Sequence, residues 1–94
     1  MQDNHQHAEL EATISNPQGL HARPVMRFVD LAAQFSSAIR VRKGSTSVDG
    51  KSPMEMMLLE AGKGTALWVI ADGPDARQAV EALAALINDG FGES

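Results

Sequence analysis

The hydrophobic periodicity of this chain alternates between that of a strand and that of a helix, and few folds satisfy the resulting order of elements. Glu9–Ile14 alternates polar and apolar residues, which is the period of a half-buried strand. Between Ala22 and Phe35 the apolar residues recur at spacings of three and four, which predicts an amphipathic helix. The same test along the chain predicts the order strand, helix, strand, strand, helix, strand, helix.

Turn-forming residues bound the later elements. Gly44 and Ser45 separate two predicted strands, and Ser52 and Glu55 have the spacing of a capping box at the start of a short helix. Pro53 would occupy the first position of that helix. The predicted bounds are Ser37–Lys43 and Thr46–Val48 for the two strands, a short helix ended by Gly62 and Gly64, a strand Thr65–Ala71, and a final helix opened by Asp72, Gly73 and Pro74 and ended by Gly90.

This order predicts an α+β open-faced sandwich, βαββαβα, in which three helices cover one face of a four-stranded antiparallel sheet. The 94 residues allow one hydrophobic core. We expect residues 1–8 to form a frayed tail and residues 9–94 to form a single domain. In the last strand, Leu67 and Val69 would then face the helices, and Trp68 would lie on the open face.

Composition excludes several classes of function. Lys and Arg number 8 against 12 Asp and Glu, a formal charge of -4, which disfavours binding to nucleic acid. Without cysteine there is no disulfide, thiolate metal site or thiol nucleophile. The longest apolar runs are too short to span a membrane, and the N-terminus lacks a signal-peptide pattern. We therefore expect a cytoplasmic protein. His5 and His7 have no third ligand, so we expect no metal site, and we expect no cofactor.

The segment Gly19-Leu20-His21-Ala22-Arg23-Pro24 is the strongest candidate for a functional site. It places His21 at the N-terminus of a helix, where free N–H groups and the helix dipole favour an anion. The guanidinium of Arg23 can bind phosphate oxygens in a bidentate manner, and a neutral histidine can attack a phosphoryl group. The alternative is that His21 only caps the helix and Arg23 is solvated.

This segment resembles the active-site signature of HPr, the histidine-containing phosphocarrier family of the bacterial phosphoenolpyruvate-dependent phosphotransferase system. The resemblance extends from about Glu9 to Phe91. It implies that His21 accepts a phosphoryl group at Nδ1 from enzyme I and passes it to an EIIA-type protein. Arg23 would stabilise the phosphate. The supporting residues would be Gly19, which leaves the ring accessible, Ala22, and Pro24, which stiffens the turn. The resemblance implies a carrier rather than an enzyme.

The same resemblance implies a regulatory site at Ser52, the position that an HPr kinase/phosphorylase modifies in many bacteria. Phosphate there would add nearly two negative charges beside the surface that binds partners. The structural alternative is that Ser52 serves only as a helix cap. Pro53 departs from the family pattern, where an aliphatic residue is usual, and it stiffens the turn that phosphorylation would rearrange.

The resemblance also implies a surface that binds partners, and the methionines next to Ser52 suit it because their flexible side chains adapt to different proteins. The family resemblance implies that Met26, Met54, Met57 and Leu58 surround His21 on that surface, together with Ala22. Met56 and Leu59 would point inward. The alternative is that every one of these side chains is part of the core.

Several assignments stay open within this family. The run from Met57 to Gly64, the segment Ala71–Pro74, the run Glu81–Leu86 and the ending Gly90–Glu93 resemble the nitrogen-related NPr branch, whereas Lys51-Ser52 resembles the sugar-transport branch. A second possibility is a regulatory docking module, controlled by Ser52 phosphorylation, in which His21 carries no phosphoryl group. A third is a piece homologous to one domain of a larger phosphotransferase. We expect a monomer, with the alternative that Trp68 belongs to a self-association patch.

Overall fold

The computed structural model describes residues 6–93, and its sheet and helices match the predicted order. The seven main elements are β1 (His7–Thr13), α1 (Ala22–Ala32), β2 (Ala38–Lys43), β3 (Thr46–Asp49), α2 (Pro53–Met57), β4 (Ala66–Asp72) and α3 (Ala76–Asn88). A 3-10 turn, Gly90–Gly92, follows α3. Within the described residues no helix is both long and apolar enough to cross a membrane.

The sheet has the strand order β1-β4-β2-β3, and every neighbouring pair is antiparallel. Val69 of β4 lies opposite Leu10 of β1 on one side and Val41 of β2 on the other. The alternation predicted for β4 is confirmed, since Leu67 and Val69 are fully buried. Together with the inward faces of the three helices these residues form one core, so the fold is the α+β open-faced sandwich.

The open face of the sheet carries a contact between an arginine and the tryptophan. Trp68 is half-buried, and the guanidinium carbon of Arg42 lies 5.7 Å from the centroid of its ring. This is a cation–π contact between β2 and β4, which lie side by side in the sheet. The tryptophan therefore has a structural role on the open face.

Two boundaries differ from the predicted ones at the start of the chain. β1 begins at His7 rather than Glu9, because the His7 ring bonds to the side chains of Asp72 and Glu9 and holds the extended backbone. The predicted tail therefore includes two residues of the strand, and residues 1–5 lie outside the described part. α1 ends at Ala32 rather than Phe35, and the backbone N–H groups of residues 36 and 37 instead donate to the carboxylate of Asp75.

The short helix α2 also ends earlier than predicted. It stops at Met57, and the chain reverses through Glu60, which has a φ of 50°. The ammonium group of Lys43 donates a hydrogen bond to the carbonyl oxygen of Leu59 at 2.8 Å. A carbonyl group just after the helix end is thereby satisfied by a cation. Gly62 and Gly64 therefore lie in the following loop and do not end the helix.

α3 and the residues after it carry the end of the chain back to the start of α1. The predicted stop at Gly90 is confirmed, since α3 ends at Asn88 and Gly90 has a φ of 69°. α3 begins at Ala76, two residues after Pro74, because the Asp75 carboxylate bonds to Ser36 and Ser37. Phe91 is fully buried, which fixes the C-terminal segment against the core.

Candidate functional site

The predicted site residues lie where β1 gives way to α1. His21 is the N-cap residue of α1, but its side chain makes no capping hydrogen bond to the helix. The interpretation of His21 as only a helix cap is therefore wrong for the side chain, although the backbone holds the N-cap position. The ring is about one-third exposed and the Arg23 side chain is 70 % exposed. Both side chains are thus accessible at the positive end of the helix dipole.

Gly19 is needed for a stronger reason than access to the ring. Its φ is 67°, and a Cβ there would lie 2.6 Å from the carbonyl oxygen of Ala61 and 2.8 Å from the Cα of Gly62. The next residue, Leu20, donates its N–H to that same carbonyl at 2.8 Å. We call residues 16–21 the histidine loop. The close approach at Gly19 packs this loop against the loop that follows α2. Pro24 is buried in the first turn of α1, as predicted.

A depression of about 480 Å³ opens beside the His21 ring. Two guanidinium groups, those of Arg23 and Arg27, belong to its wall. The depression is mostly polar and is suited to an anion that approaches the imidazole. Its full lining comprises Pro17, Gln18, His21, Arg23, Arg27, Gly92 and Glu93.

One acidic side chain reaches into this depression from the C-terminal end. An oxygen of Glu93 lies 3.4 Å from Nε2 of His21, and its other oxygen lies 3.9 Å from the Arg23 guanidinium. A carboxylate only accepts hydrogen bonds, so this contact favours the histidine tautomer with its proton on Nε2. That tautomer leaves the lone pair on Nδ1, the nitrogen to which the family resemblance assigns the phosphoryl group.

Two further residues hold Glu93 in place. The buried amide of Asn16 donates to Gly19 O at 2.7 Å and to the Glu93 carboxylate at 3.1 Å. Arg27 donates a hydrogen bond to the carbonyl oxygen of Phe91. The C-terminal segment is thereby attached to the turn before His21 and to α1.

Three residues of the site were not predicted from the sequence, namely Asn16, Arg27 and Glu93. Arg27 lies four positions after Arg23, so both lie on the same face of α1, and this spacing could have identified it. Phe91 is a large apolar residue after the predicted helix stop, and it could have indicated that the chain end packs on the core. Nothing in the sequence indicates that Glu93, 72 positions from His21, contacts it.

Ser52 lies at the N-cap of α2, where its hydroxyl accepts a hydrogen bond from the Glu55 N–H at 3.2 Å. The predicted cap is confirmed, and Pro53 stands at the start of the helix. The reciprocal half of the capping box does not form, because the Glu55 carboxylate accepts from the N–H of Asp49 at 2.9 Å instead. Ser52 is half-buried.

The apolar side chains of α2 divide as predicted between core and surface. Met56 and Leu59 are buried. The four side chains expected at a binding surface are exposed, to 45 % for Met26, 78 % for Met54, 43 % for Met57 and 69 % for Leu58. We call these four the apolar surface. α1 and α2 pack against each other, so the apolar surface spans the two helices.

No group of three or more potential ligands for a metal ion occurs within residues 6–93. His7 is engaged by two carboxylates, and His5 lies outside the described residues.

Comparison with known proteins decides the family. Residues 8–89 match the family model described as the PTS HPr component phosphorylation site. The chain belongs to the HPr family. A phosphocarrier protein HPr from Pseudomonas aeruginosa is 46 % identical over 85 residues, which cover 89 % of this chain and 94 % of that protein. The crystal structure of HPr-C-His from Thermoanaerobacter tengcongensis superposes with a TM-score of 0.88 at 41 % identity, over 93 % of this chain and 98 % of that one.

HPr proteins are phosphocarriers of the phosphotransferase system and not enzymes, and this chain shares that role. The family also accounts for the strand order, with β4 between β1 and β2. A phosphocarrier protein NPr from Shewanella violacea is 33 % identical over 86 residues, 92 % of this chain and 94 % of that protein. The match to the NPr protein is therefore weaker than the match to the HPr protein above, although both extend over nearly the whole chain.

Proposed function

We propose that His21 carries the phosphoryl group of this phosphocarrier, on Nδ1. The observation that supports this most directly is the His21 ring at the start of α1, without a capping bond, beside a depression walled by Arg23 and Arg27. The helix dipole and the guanidinium groups favour the charge of the incoming phosphoryl oxygens. Ala22 and Pro24 set the first turn of α1, and Gly19 sets the approach of the chain to His21.

The phosphoryl group passes from a histidine of one protein to a histidine of the other, and one bond to phosphorus forms as another breaks. The Nδ1 lone pair of His21 forms a bond to phosphorus as the bond between phosphorus and the phosphohistidine of enzyme I breaks, and that pair of electrons returns to the donor ring. The reverse exchange passes the group to a histidine of an EIIA-type acceptor. Little covalent chemistry is left for the protein, so positioning and charge stabilisation supply most of the catalysis.

Arg23 is suited to transient stabilisation of the phosphate. Its side chain is 70 % exposed, so its attraction to an anion is weakened by water. A carrier benefits from this, since a fully buried pair would hold the phosphoryl group against the next transfer. The proposal assigns Arg23 the role of stabilising both transition states rather than storing the phosphate.

The apolar surface is the proposed docking site for enzyme I and for the EIIA-type acceptor. Its four exposed side chains lie on α1 and α2, and α1 is the helix that begins at His21. Partners that cover it would bring their own histidines towards His21. Ser52 begins the helix that carries Met54 and Met57, so phosphorylation by a kinase would place about two negative charges at the edge of this surface.

The proposal further assigns a monomer, a single domain that begins with β1 at His7, and a cytoplasmic location. For the acceptor, the higher identity to the HPr protein than to the NPr protein favours a sugar-type EIIA over a nitrogen-type one. Rates of transfer to purified acceptors of both types would decide between them.

The test is incubation with labelled phosphoenolpyruvate and a bacterial enzyme I that is active on its own carrier. We expect acid-labile, base-stable label on the protein, lost in His21→Ala and retained in His7→Ala, which removes an exposed histidine whose ring bonds to Asp72 and Glu9 instead. Label that persists in His21→Ala would overturn the assignment. Absence of label from the unaltered protein would favour a docking module instead.

A further inference from the structure

The Glu93 carboxylate lies where an anion would be expected to bind. It is 14 % exposed, it contacts Nε2 of His21 at 3.4 Å, and it faces the Arg23 guanidinium at 3.9 Å. It also belongs to the wall of the depression beside the histidine. In the unphosphorylated protein, the site therefore already contains one negative charge.

The Glu93 side chain is partly buried, and its buried Oε2 atom is poorly satisfied by hydrogen bonds. Among the described residues its Oε2 atom has no hydrogen-bond partner, and the distance to Arg23 is that of an ion pair without a hydrogen bond. Within residues 6–93, Oε1 accepts one short hydrogen bond, from the Asn16 amide at 3.1 Å. A buried acceptor without a partner costs free energy, so the contact is easily given up when a better anion arrives.

A phosphoryl group on His21 would be such an anion. It carries close to two negative charges and three acceptor oxygens, against one charge and two oxygens for the carboxylate. It would compete with Glu93 for the Arg23 guanidinium. It would also repel Glu93, because like charges a few ångströms apart are unfavourable in a site partly shielded from water.

The backbone allows Glu93 to leave without disturbing the core. Phe91 is fully buried, and Arg27 holds its carbonyl group. Gly92 follows with a φ of 75°, and it is exposed. Rotation at Gly92 would therefore swing Glu93 out of the depression while the residues before it stay in place.

We propose that Glu93 is a positioning residue: its carboxylate occupies the anion-binding position beside Arg23 in the unphosphorylated carrier and is displaced by the phosphoryl group. Competition from Glu93 lowers the affinity of the site for the phosphoryl group and so favours onward transfer. This inference rests on the proposed phosphocarrier role of His21. It adds that the C-terminal segment adjusts how readily the phosphoryl group leaves.

The first test needs no phosphoryl transfer. Inorganic phosphate is titrated into the unphosphorylated protein while NMR follows the amide signals of Ala22 and Arg23. Glu93→Gln keeps the shape of the side chain and removes its charge, and we expect phosphate to bind about fivefold more tightly. Asp89→Asn is the matched control, because it removes one exposed charge from the same segment, and it should change the affinity much less.

The second test measures the exchange itself. At equilibrium with a phosphorylated acceptor, Glu93→Gln should retain about fivefold more phosphoryl group than the unaltered protein, and Asp89→Asn should resemble the unaltered protein. Phosphate affinity in Glu93→Gln equal to that in Asp89→Asn, including no measurable binding by either, would overturn the proposal. If no variant accepts a phosphoryl group, the phosphocarrier role of His21 fails, and the phosphate titration still decides the role of Glu93.

Discussion

At the scale of single residues, the histidine loop depends on a backbone conformation that glycine adopts at low cost. Gly19→Ala should destabilise the protein by about 1–2 kcal/mol for the positive φ and by about 1–3 kcal/mol more for the contact with backbone atoms of Ala61 and Gly62. It should also slow phosphoryl transfer, because relief of that contact moves His21. Urea unfolding and the rate of label uptake measure the two effects.

Gly44→Ala is the matched control for that prediction. Gly44 also has a positive φ, 57°, but a Cβ there would meet no atom within 4 Å. It should therefore show the conformational cost alone and leave the transfer rate unchanged. Equal destabilisation by the two substitutions would mean that the contact between the two loops contributes nothing.

Site residues could be predicted where they lie close together in sequence, and could not where they lie far apart. His21 and Arg23 were predicted because they stand within one continuous segment at a helix start. Glu93 reaches His21 from 72 positions away, and its placement depends on the packing of Phe91 and on the Asn16 amide. Such a contact arises from tertiary structure and has no local pattern.

At the scale of elements, Ser52 affects both the stability of α2, as its cap, and the charge beside the apolar surface. Its hydroxyl caps a helix of 5 residues, so Ser52→Ala should reduce the free energy of unfolding by about 1 kcal/mol. Aspartate is also a good cap, so Ser52→Asp should keep most of that stability while it adds a charge beside the apolar surface. We expect Ser52→Asp, but not Ser52→Ala, to weaken binding to enzyme I, as measured by calorimetry.

Ser45→Ala is the control for both measurements, since Ser45 is exposed in the turn between β2 and β3. It should alter neither stability nor binding. Equal affinities of Ser52→Asp and the unaltered protein for enzyme I would argue against charge at Ser52 as a means of regulation. Loss of affinity in Ser52→Ala would instead indicate that the cap itself shapes the apolar surface.

Element types were predictable because periodicity and capping are local, whereas several element ends were not. α1 was expected to reach Phe35 from its apolar spacing, but Asp75, far along the chain, takes the N–H groups of Ser36 and Ser37. α2 was expected to continue to its glycines, but the chain reverses at Glu60, close to the carbonyl group held by Lys43. Tertiary hydrogen bonds overrode local propensity in both places.

At the scale of the whole molecule, two ionisable side chains join parts that are distant in sequence. The His7 ring connects β1 to β4, and hydrogen bonds to Asp72 and then to Glu9 raise its pKa above the ordinary 6.5. The Asp75 carboxylate connects the start of α3 to the segment after α1. Hydrogen bonds from Ser37 and then Ser36 lower its pKa below the ordinary 3.8.

These two shifts predict opposite pH limits to stability. The His7 contribution is fully present below pH 6.5 and is lost as the pH rises through its raised folded-state pKa, since a raised pKa means that the folded protein binds the proton more tightly. The Asp75 contribution is present above pH 3.8 and is lost as the pH falls through its lowered pKa. His7 is exposed and Asp75 is only half-buried, so each contribution is small and is best measured as a difference between proteins.

The measurement is the free energy of unfolding against pH for the unaltered protein, His7→Gln and Asp75→Asn. The difference from His7→Gln should shrink as the pH rises above 6.5, and the difference from Asp75→Asn should shrink as it falls below 3.8. Each substitution removes one limit and leaves the other, because the two groups lie in separate contacts. A His7→Gln difference that stays constant through the alkaline range would mean that the strand pair β1–β4 gains nothing from the protonated ring.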